Sequence, residues 1–461
     1  MIHKRIVALF LPLFLLFGSL PSMAAGKEEN RWQDELIYSI MIDRFNNSRL
    51  ANDRDIDVND PNAYHGGDLK GIMDKLDYIH DMGFTTIVLS PLFKSDSYDG
   101  GTIKDFYKVD EHYGTMKEFK QLVKEAHKRN MKVVASFITS SDENEMVKAG
   151  SWWIEQTNID GYKMSKLEEA SLPFWEKFVK EVKAAKEGFY LMGELPEEDV
   201  KNRANYERIG FDSLIDYSLY NQTSETFSKI NSSQKMLQEQ WQQTESTYKN
   251  PLAVGTMIDN ENTARFTRKA LEHRRHPGTR TKLALTHLFS SPGIPTVYYG
   301  TEIALDGGEK PDNHRMMNFR VDKELIDYVT KLSEVRNQLP SLRRGTFERL
   351  YEKGGMVIYK RQYKGETAVI AINNTSKTQI IDLGTKQLGE EKELRGLLED
   401  DIIRPAKEGY RIALDREKAN IYVLADKTGL NMKFVVALVV VYGAFMTFIY
   451  LAWKRGRARN K

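Results

Sequence analysis

The 461 residues are too many for one small module and fit a large domain with a smaller companion. With 41% hydrophobic and 11% aromatic residues, and only 13 prolines and 31 glycines, the chain is neither disordered nor of low complexity; having no cysteine, it can form no disulfide, thiolate metal site or cysteine nucleophile. The net charge of +2 hides a division. Setting aside Lys4, Arg5, Lys433, Lys454, Arg455, Arg457, Arg459 and Lys461 near the ends leaves 59 basic against 65 acidic residues, a net −6. A nucleic-acid partner is therefore not expected.

In chain order, Met1–Arg5 is basic, Ile6–Phe17 is apolar and Ser22-Met23-Ala24 offers small residues for cleavage. That tripartite pattern predicts a signal peptide over residues 1–24. From about residue 35, short apolar runs alternate with amphipathic stretches. The runs are Leu36–Ile42, Phe84–Leu89, Lys132–Ile138, Ile159–Met164, Phe189–Gly193, Phe211–Leu219, Leu252–Ile258 and Ile294–Tyr299. Lys70–Met82, Met116–Asn130, Leu172–Lys186 and Arg280–Ser290 carry apolar residues at three- and four-residue spacing and predict helices between them. Eight such runs over about 300 residues predict an α/β fold, a closed parallel (β/α)₈ TIM barrel over 25–340, completed by a helix at Lys323–Gln338.

After Pro340 the short β-rich runs Val357–Arg361, Thr367–Asn373, Gln379–Asp382, Tyr410–Ala413 and Ile421–Leu424 predict an antiparallel β-sandwich over 341–426. Phe434–Trp453 then carries no charge for twenty residues, a helical rise of about 30 Å that matches a bilayer core. The basic tail 454–461 follows directly, which predicts a single transmembrane helix with a cytoplasmic tail. The expected location is the cell membrane, with the body on the extracellular side. Arg274-Arg275-His276 and Arg343-Arg344 read as solvated surface, and the nine histidines show no zinc-ligand spacing.

Several motifs carry a resemblance. Ile37-Tyr-Ser-Ile-Met-Ile-Asp-Arg-Phe, His65-Gly-Gly-Asp-Leu-Lys-Gly-Ile, Gly83-Phe-Thr-Thr-Ile-Val-Leu-Ser-Pro, Asp105-Phe-Tyr-Lys-Val-Asp and Gly293-Ile-Pro-Thr-Val-Tyr-Tyr-Gly-Thr-Glu occur in order. They resemble the α-amylase family, glycoside hydrolase family 13, from about Glu35 to Asp426. The resemblance implies a retaining glycosidase acting on α-1,4-glucans, with a nucleophilic aspartate, an acid/base glutamate and a stabilising aspartate at strand ends.

Position by position, little of that machinery is present. At the third strand Ser136, Ser140 and Ser141 stand at the family's polar positions. At the fourth, Lys163 replaces the arginine and Ser165 the nucleophile. At the fifth, Glu194 keeps the acid/base. At the seventh, Glu261 replaces a histidine and Asn262 the stabilising aspartate, and Gly101 stands where a tyrosine stacks on the sugar. A serine is a poor nucleophile without a base to take its proton. The family's inserted domain after the third strand is nearly absent, since only about twenty residues separate Ser141 from Gly161. Trp152 and Trp153 are expected to pack on the barrel.

The resemblance also implies a structural calcium held by Asn47, Asn52, Asp53, the Gly66 carbonyl and Asp68. Arg49 falls among these donors and its cation could take the metal's place, so an ordered loop without metal is the preferred expectation. Three functional readings follow. One is an active hydrolase or transglycosylase using Glu194, in its inverting form paired with Glu261. Another is a catalytically silent scaffold for an unidentified membrane or surface protein. The last is a pseudoenzyme that binds an α-glucan. The silent readings are preferred.

Overall fold

The computed structural model describes residues 31–140, 142–196, 202–406, 409–427 and 432–459. Residues 1–24, where a signal peptide is expected, and Ser141 lie outside them. Eight strands form a closed barrel: β1 (Ile37–Ile40), β2 (Thr86–Leu89), β3 (Lys132–Ile138), β4 (Gly161–Ser165), β5 (Tyr190–Glu194), β6 (Ser213–Ile215), β7 (Gly255–Thr256) and β8 (Ile294–Tyr298). Every neighbouring pair is parallel, and β8 closes on β1 through Thr296 opposite Ile37. The fold is the predicted TIM barrel.

Each strand is buried on both faces, which is why it reads as a continuous apolar run rather than an alternating one. The intervening helices bury one stripe against it. Met116–Lys128 starts at a capping box in which Thr115 and Glu118 each satisfy the other's backbone N–H, and it buries Phe119, Leu122, Val123 and Ala126. Leu172–Ala185 starts from the Ser171 N-cap and buries Phe174, Trp175, Phe178, Val179 and Val182. The run Lys70–Met82 is not one helix but two, Leu69–Asp74 and Leu76–Asp81. The run Phe211–Leu219 ends as strand at Ile215, because Asp216 caps a helix that begins at Tyr217.

Between β3 and β4 the described chain contains a single helix, Glu143–Thr157. Trp153 is buried there, edge-on to Phe93 and Phe119, and Trp152 packs edge-on to Tyr107. The second domain is antiparallel: a six-stranded sheet built from Thr346–Lys353, Met356–Tyr363, Glu366–Asn373, Lys418–Asp426, Lys392–Gly396 and Ile402–Ile403, and a two-stranded sheet of Gln379–Leu383 and Tyr410–Leu414. Ile358, Val369, Leu394 and Tyr422 from the first meet Ile381, Leu383, Tyr410 and Ile412 from the second in one core.

Arg343 and Arg344 are not solvated surface. Both are half-buried against Asp34, with Arg344 Nε donating to Asp34 Oδ1 at 2.8 Å. The helix Met432–Arg459 contains one stretch, Val435–Ala458, long and apolar enough to cross a membrane, and none of it is buried against the body.

Candidate active site

Alternate side chains of a barrel strand face the lumen. Low in the barrel these are apolar, with Ile37, Val88, Val134, Tyr190, Met192, Ile215 and Ile294 in one cluster. Two residues further along the strands the same parity gives Ser39, Ser90, Ser136, Lys163 and Glu194. A cavity of about 430 Å³ opens over that polar rung at the C-terminal ends of the strands, the end at which barrel active sites are built. Its lining includes Ser136, Ser165, Glu194, Glu261, Asn262 and Gly101. The cleft is open, not filled by side chains, and six of the sequence-predicted positions converge on it.

Glu194 is buried, and each of its oxygens is occupied. Oε2 accepts from Ser165 Oγ at 2.7 Å and lies 3.5 Å from Lys163 Nζ. Oε1 accepts from Asn262 Nδ2 at 3.0 Å and from the Tyr217 hydroxyl. Burial alone would raise the Glu194 pKa, but the Lys163 ammonium and the hydrogen bonds from Tyr217, Ser165 and Asn262 outweigh it and hold the carboxyl below its ordinary value. Glu194 is thus a stable carboxylate, whereas a general acid must carry a proton at working pH. Lys163 is buried too; desolvation opposes its charge, but Glu194 and Glu261 hold its pKa above the usual lysine value.

Lys163 also donates to Glu261 Oε1, so one ammonium bridges both carboxylates. The inverting arrangement weighed from sequence needs one protonated carboxyl and a water held by the other. Here that cation helps to hold Glu194 as an anion, the wrong charge state for the acid in that division of labour. Ser165 does not face a histidine base; its hydroxyl is spent on Glu194. Gly101 is exposed at the rim and leaves the stacking position without a ring.

Sequence reasoning missed three residues. Tyr217 lay inside the run assigned to a strand, yet its hydroxyl binds Glu194 and accepts from Asn260 Nδ2 at 2.9 Å. Asn260 was visible in Asp259-Asn-Glu-Asn but had no assigned role. His314 is buried on the cleft wall, its Nε2 2.8 Å from the Glu261 carbonyl and its Nδ1 2.9 Å from the Tyr98 hydroxyl. The carbonyl can only accept, so Nε2 carries the proton and Nδ1 accepts from Tyr98. Burial pushes the His314 pKa down to about 4, which leaves it neutral.

The loop expected to hold calcium brings Asn47, Asp53 and Gly66 together. A Cβ placed on Gly66 would lie 2.5 Å from Asn47 Nδ2 and 2.9 Å from Asp53 Oδ1, so the three residues converge. Asn47 Nδ2 donates to both Asp53 oxygens at 2.9 and 3.0 Å, while its Oδ1 is buried without a partner. Asp68 caps Gly71 through Oδ1 and takes the Ser48 and Arg49 amides on Oδ2. Arg49 does not fill the site as expected: its guanidinium pairs with Glu118. Two carboxylates, amides and a carbonyl are the hard oxygens that suit calcium, and the partnerless Asn47 Oδ1 fits such a donor set. Among the described residues no group of three or more His, Cys, Asp or Glu side chains could hold a metal.

Comparison with known proteins agrees with this architecture. Residues 39–160 and 140–337 match the family model for the α-amylase catalytic domain, and 345–422 match the α-amylase C-terminal domain. An Anoxybacillus α-amylase crystal structure is 49% identical, covers 87% of this chain and 100% of its own, and superposes with a TM-score of 0.84. An α-amylase from Geobacillus thermoleovorans, crystallised with acarbose, is 43% identical over 87% of this chain and 100% of its own, with a TM-score of 0.82. The β/α-amylase of Paenibacillus polymyxa is 27% identical over 85% of this chain, which spans only 38% of that protein's length. A cyclomaltodextrinase of Thermoanaerobacter pseudethanolicus is 26% identical over 78% of this chain and 74% of its own. With the barrel, the site at its strand ends and both domain matches in agreement, the chain belongs to the α-amylase family of glycoside hydrolases.

Proposed function

We propose that the protein is a non-hydrolytic member of this family, a pseudoenzyme that binds α-glucan chains in its cleft while held at the outer face of a membrane. The observation that carries the reading is the state of Glu194. The one acid retained from the family pattern is held as an ion by Lys163, Ser165, Tyr217 and Asn262, and no carboxylate stands at the nucleophile position, Ser165. The open cleft favours glycan binding over a scaffold that serves only a protein partner, and a relative 43% identical was crystallised with acarbose.

Calorimetry on the full chain in detergent is expected to register maltooligosaccharide binding, while a chromogenic maltoside gives no turnover above buffer. Ordinary turnover by the unmodified protein would return Glu194 to the acid/base role and overturn the reading.

The membrane part rests on the helix Val435–Ala458, none of it buried, and on the cluster Lys454, Arg455, Arg457 and Arg459 at its C-terminal end. The full chain is expected to stay in the membrane pellet after alkaline carbonate washing and to become soluble when ended at Asp426. Retention of the shortened chain would refute this anchor.

Calcium at Asn47, Asn52, Asp53, Gly66 and Asp68 would stabilise the fold, with no part in chemistry. Ligand binding to the native state adds RT ln(1 + [L]/Kd), about 2.7 kcal/mol at a hundredfold excess over Kd. Millimolar calcium is therefore expected to raise Tm by several degrees, and Asp53→Ala to abolish the rise. An equal rise in that variant would rule this site out.

A further inference from the structure

Where the chain leaves its folded body is set by the polarity of the barrel. The cleft lies at the C-terminal ends of the strands. The helix Pro277–Ser290 leads back from that end to the start of β8 at Ile294, a rise of about 21 Å. Near the helix start, Arg280 pairs with Glu417 and bonds to Asn374. At its finish, the Ser290 carbonyl accepts from Arg361 Nη1 at 2.8 Å. Arg361 stands opposite Ala368, which in turn stands opposite Val423. The strand Lys418–Asp426 therefore runs alongside this helix and away from the cleft, with Asp426 at its far end.

A separate set of contacts agrees. Arg344 Nε donates to Asp34, which lies just ahead of β1 at the N-terminal end of the barrel. Close by, the Ser341 amide donates to Glu366 Oε1 at 2.8 Å. Glu366 pairs with Tyr363 across a hairpin turn, and Asp426 points toward that turn. Eight residues, Lys427 to Phe434, then separate Asp426 from the apolar stretch Val435–Ala458. Fully extended, they reach about 29 Å at most. The loops that lead into the barrel strands are thus held close to any membrane that the helix crosses. They carry exposed polar residues, Asn130, Glu187, Lys249 and Asn250. Among the described residues, the large apolar side chains exposed on the body, Leu50, Val58, Met236, Leu271, Ile380 and Ile402, all lie outside those loops.

We propose that this end of the barrel is the membrane-facing surface of the protein, resting against the lipid headgroup layer, and that the cleft opens on the opposite side, away from the bilayer. This rests on Val435–Ala458 being a membrane anchor. A headgroup layer is the partner that suits a polar face tethered so closely, because a face that sinks into the acyl region needs apolar side chains to bury there. The cleft then meets ligands arriving from the surrounding medium rather than groups borne by the same membrane.

The chain has no cysteine, so a single introduced thiol reports one position without background. Glu187→Cys places it in the loop before β5, and Glu309→Cys places it in the loop after β8, beside Lys310 of the cleft lining; both positions are exposed. Each full-length variant is labelled with fluorescein maleimide and reconstituted into phosphatidylcholine–phosphatidylglycerol vesicles that carry rhodamine on their headgroups. With the two ends of the barrel about 21 Å apart along one helix, energy transfer is expected to be at least about twofold greater from position 187 than from position 309. Insertion in either direction gives the same result, since the body lies against one leaflet or the other. Equal transfer from the two positions, or stronger transfer from 309, overturns this inference and leaves the anchor standing. No transfer from either, with the chain failing to float with the vesicles, overturns the anchor and this inference with it.

Discussion

Replacing Lys163 by methionine is expected to destabilise the native state by about 3–5 kcal/mol at neutral pH, with a deficit that shrinks on acidification. Removing one partner of a buried ion pair leaves an uncompensated charge, and that is the costly half of the exchange. Here it leaves two, Glu194 and Glu261, of which Glu194 is buried. The sign of the pH dependence follows from Glu194. In the parent its folded-state pKa lies below the ordinary glutamate value. Its contribution is therefore present above about pH 4.3 and is lost as pH falls through the lowered pKa. Without Lys163 the largest of the influences that lower it is gone while burial, the largest influence on this group, remains, so the pKa is expected to rise above the ordinary value. The contribution then becomes full below about pH 4.3 and is lost as pH rises through the raised pKa. Denaturant midpoints of parent and variant at about pH 7.5 and about pH 4.5 measure this directly. A deficit equal at the two pH values would show that Lys163 matters through packing alone, and that Glu194 is not held as an ion by it.

The fold was legible because buried parallel strands announce themselves. Lys132–Ile138 was bounded correctly at both ends, and Ile294–Tyr299 overran by one residue. The failures have physical causes. Phe211–Leu219 overran because Tyr217 and Leu219 are buried on a helix, and an apolar run does not reveal where a cap such as Asp216 bends the chain. The strand Thr346–Lys353 escaped notice because it is an edge strand with no fully buried residue, carrying Glu348, Arg349, Glu352 and Lys353. Arg343 and Arg344 looked like surface because their partner, Asp34, is some 310 residues away.

The site divides in the same way. Lys163, Ser165 and Glu194 were readable because they stand at the positions that the family resemblance marks on the fourth and fifth strands. Glu261 and Asn262 were readable from the motif after β7. What each does to the others was not. Tyr217 reaches Glu194 from a helix start 23 residues on, and the Lys163 bridge to Glu261 spans 98 residues. Those contacts decide the charge state of Glu194, and the charge state decides which chemistry is available.

Restoring Ser165→Asp alone is expected to leave maltoside turnover at background, whereas the fourfold variant Lys163→Arg, Ser165→Asp, Glu261→His and Asn262→Asp is expected to raise it by about a hundredfold or more. Groups that work as a unit in catalysis are strongly non-additive, so returning one of several missing members gains almost nothing. The geometry here adds a specific obstacle. Ser165 Oγ lies 2.7 Å from Glu194 Oε2, so an aspartate at that position adds a carboxylate beside one already stabilised as an anion by the Lys163 ammonium. A retaining mechanism needs the opposite: a nucleophile that is ionised and a partner roughly 5–5.5 Å away that holds a proton. Glu261→His removes the anion that shares Lys163, Lys163→Arg supplies a guanidinium able to grip a carboxylate through two parallel hydrogen bonds, and Asn262→Asp returns the stabilising charge. Initial rates on a chromogenic maltoside, with Tm recorded for each variant to confirm folding, decide the matter. Brisk cleavage by the single Ser165→Asp variant would mean that Glu194 is already able to protonate a leaving group, and that the absent nucleophile was the sole defect.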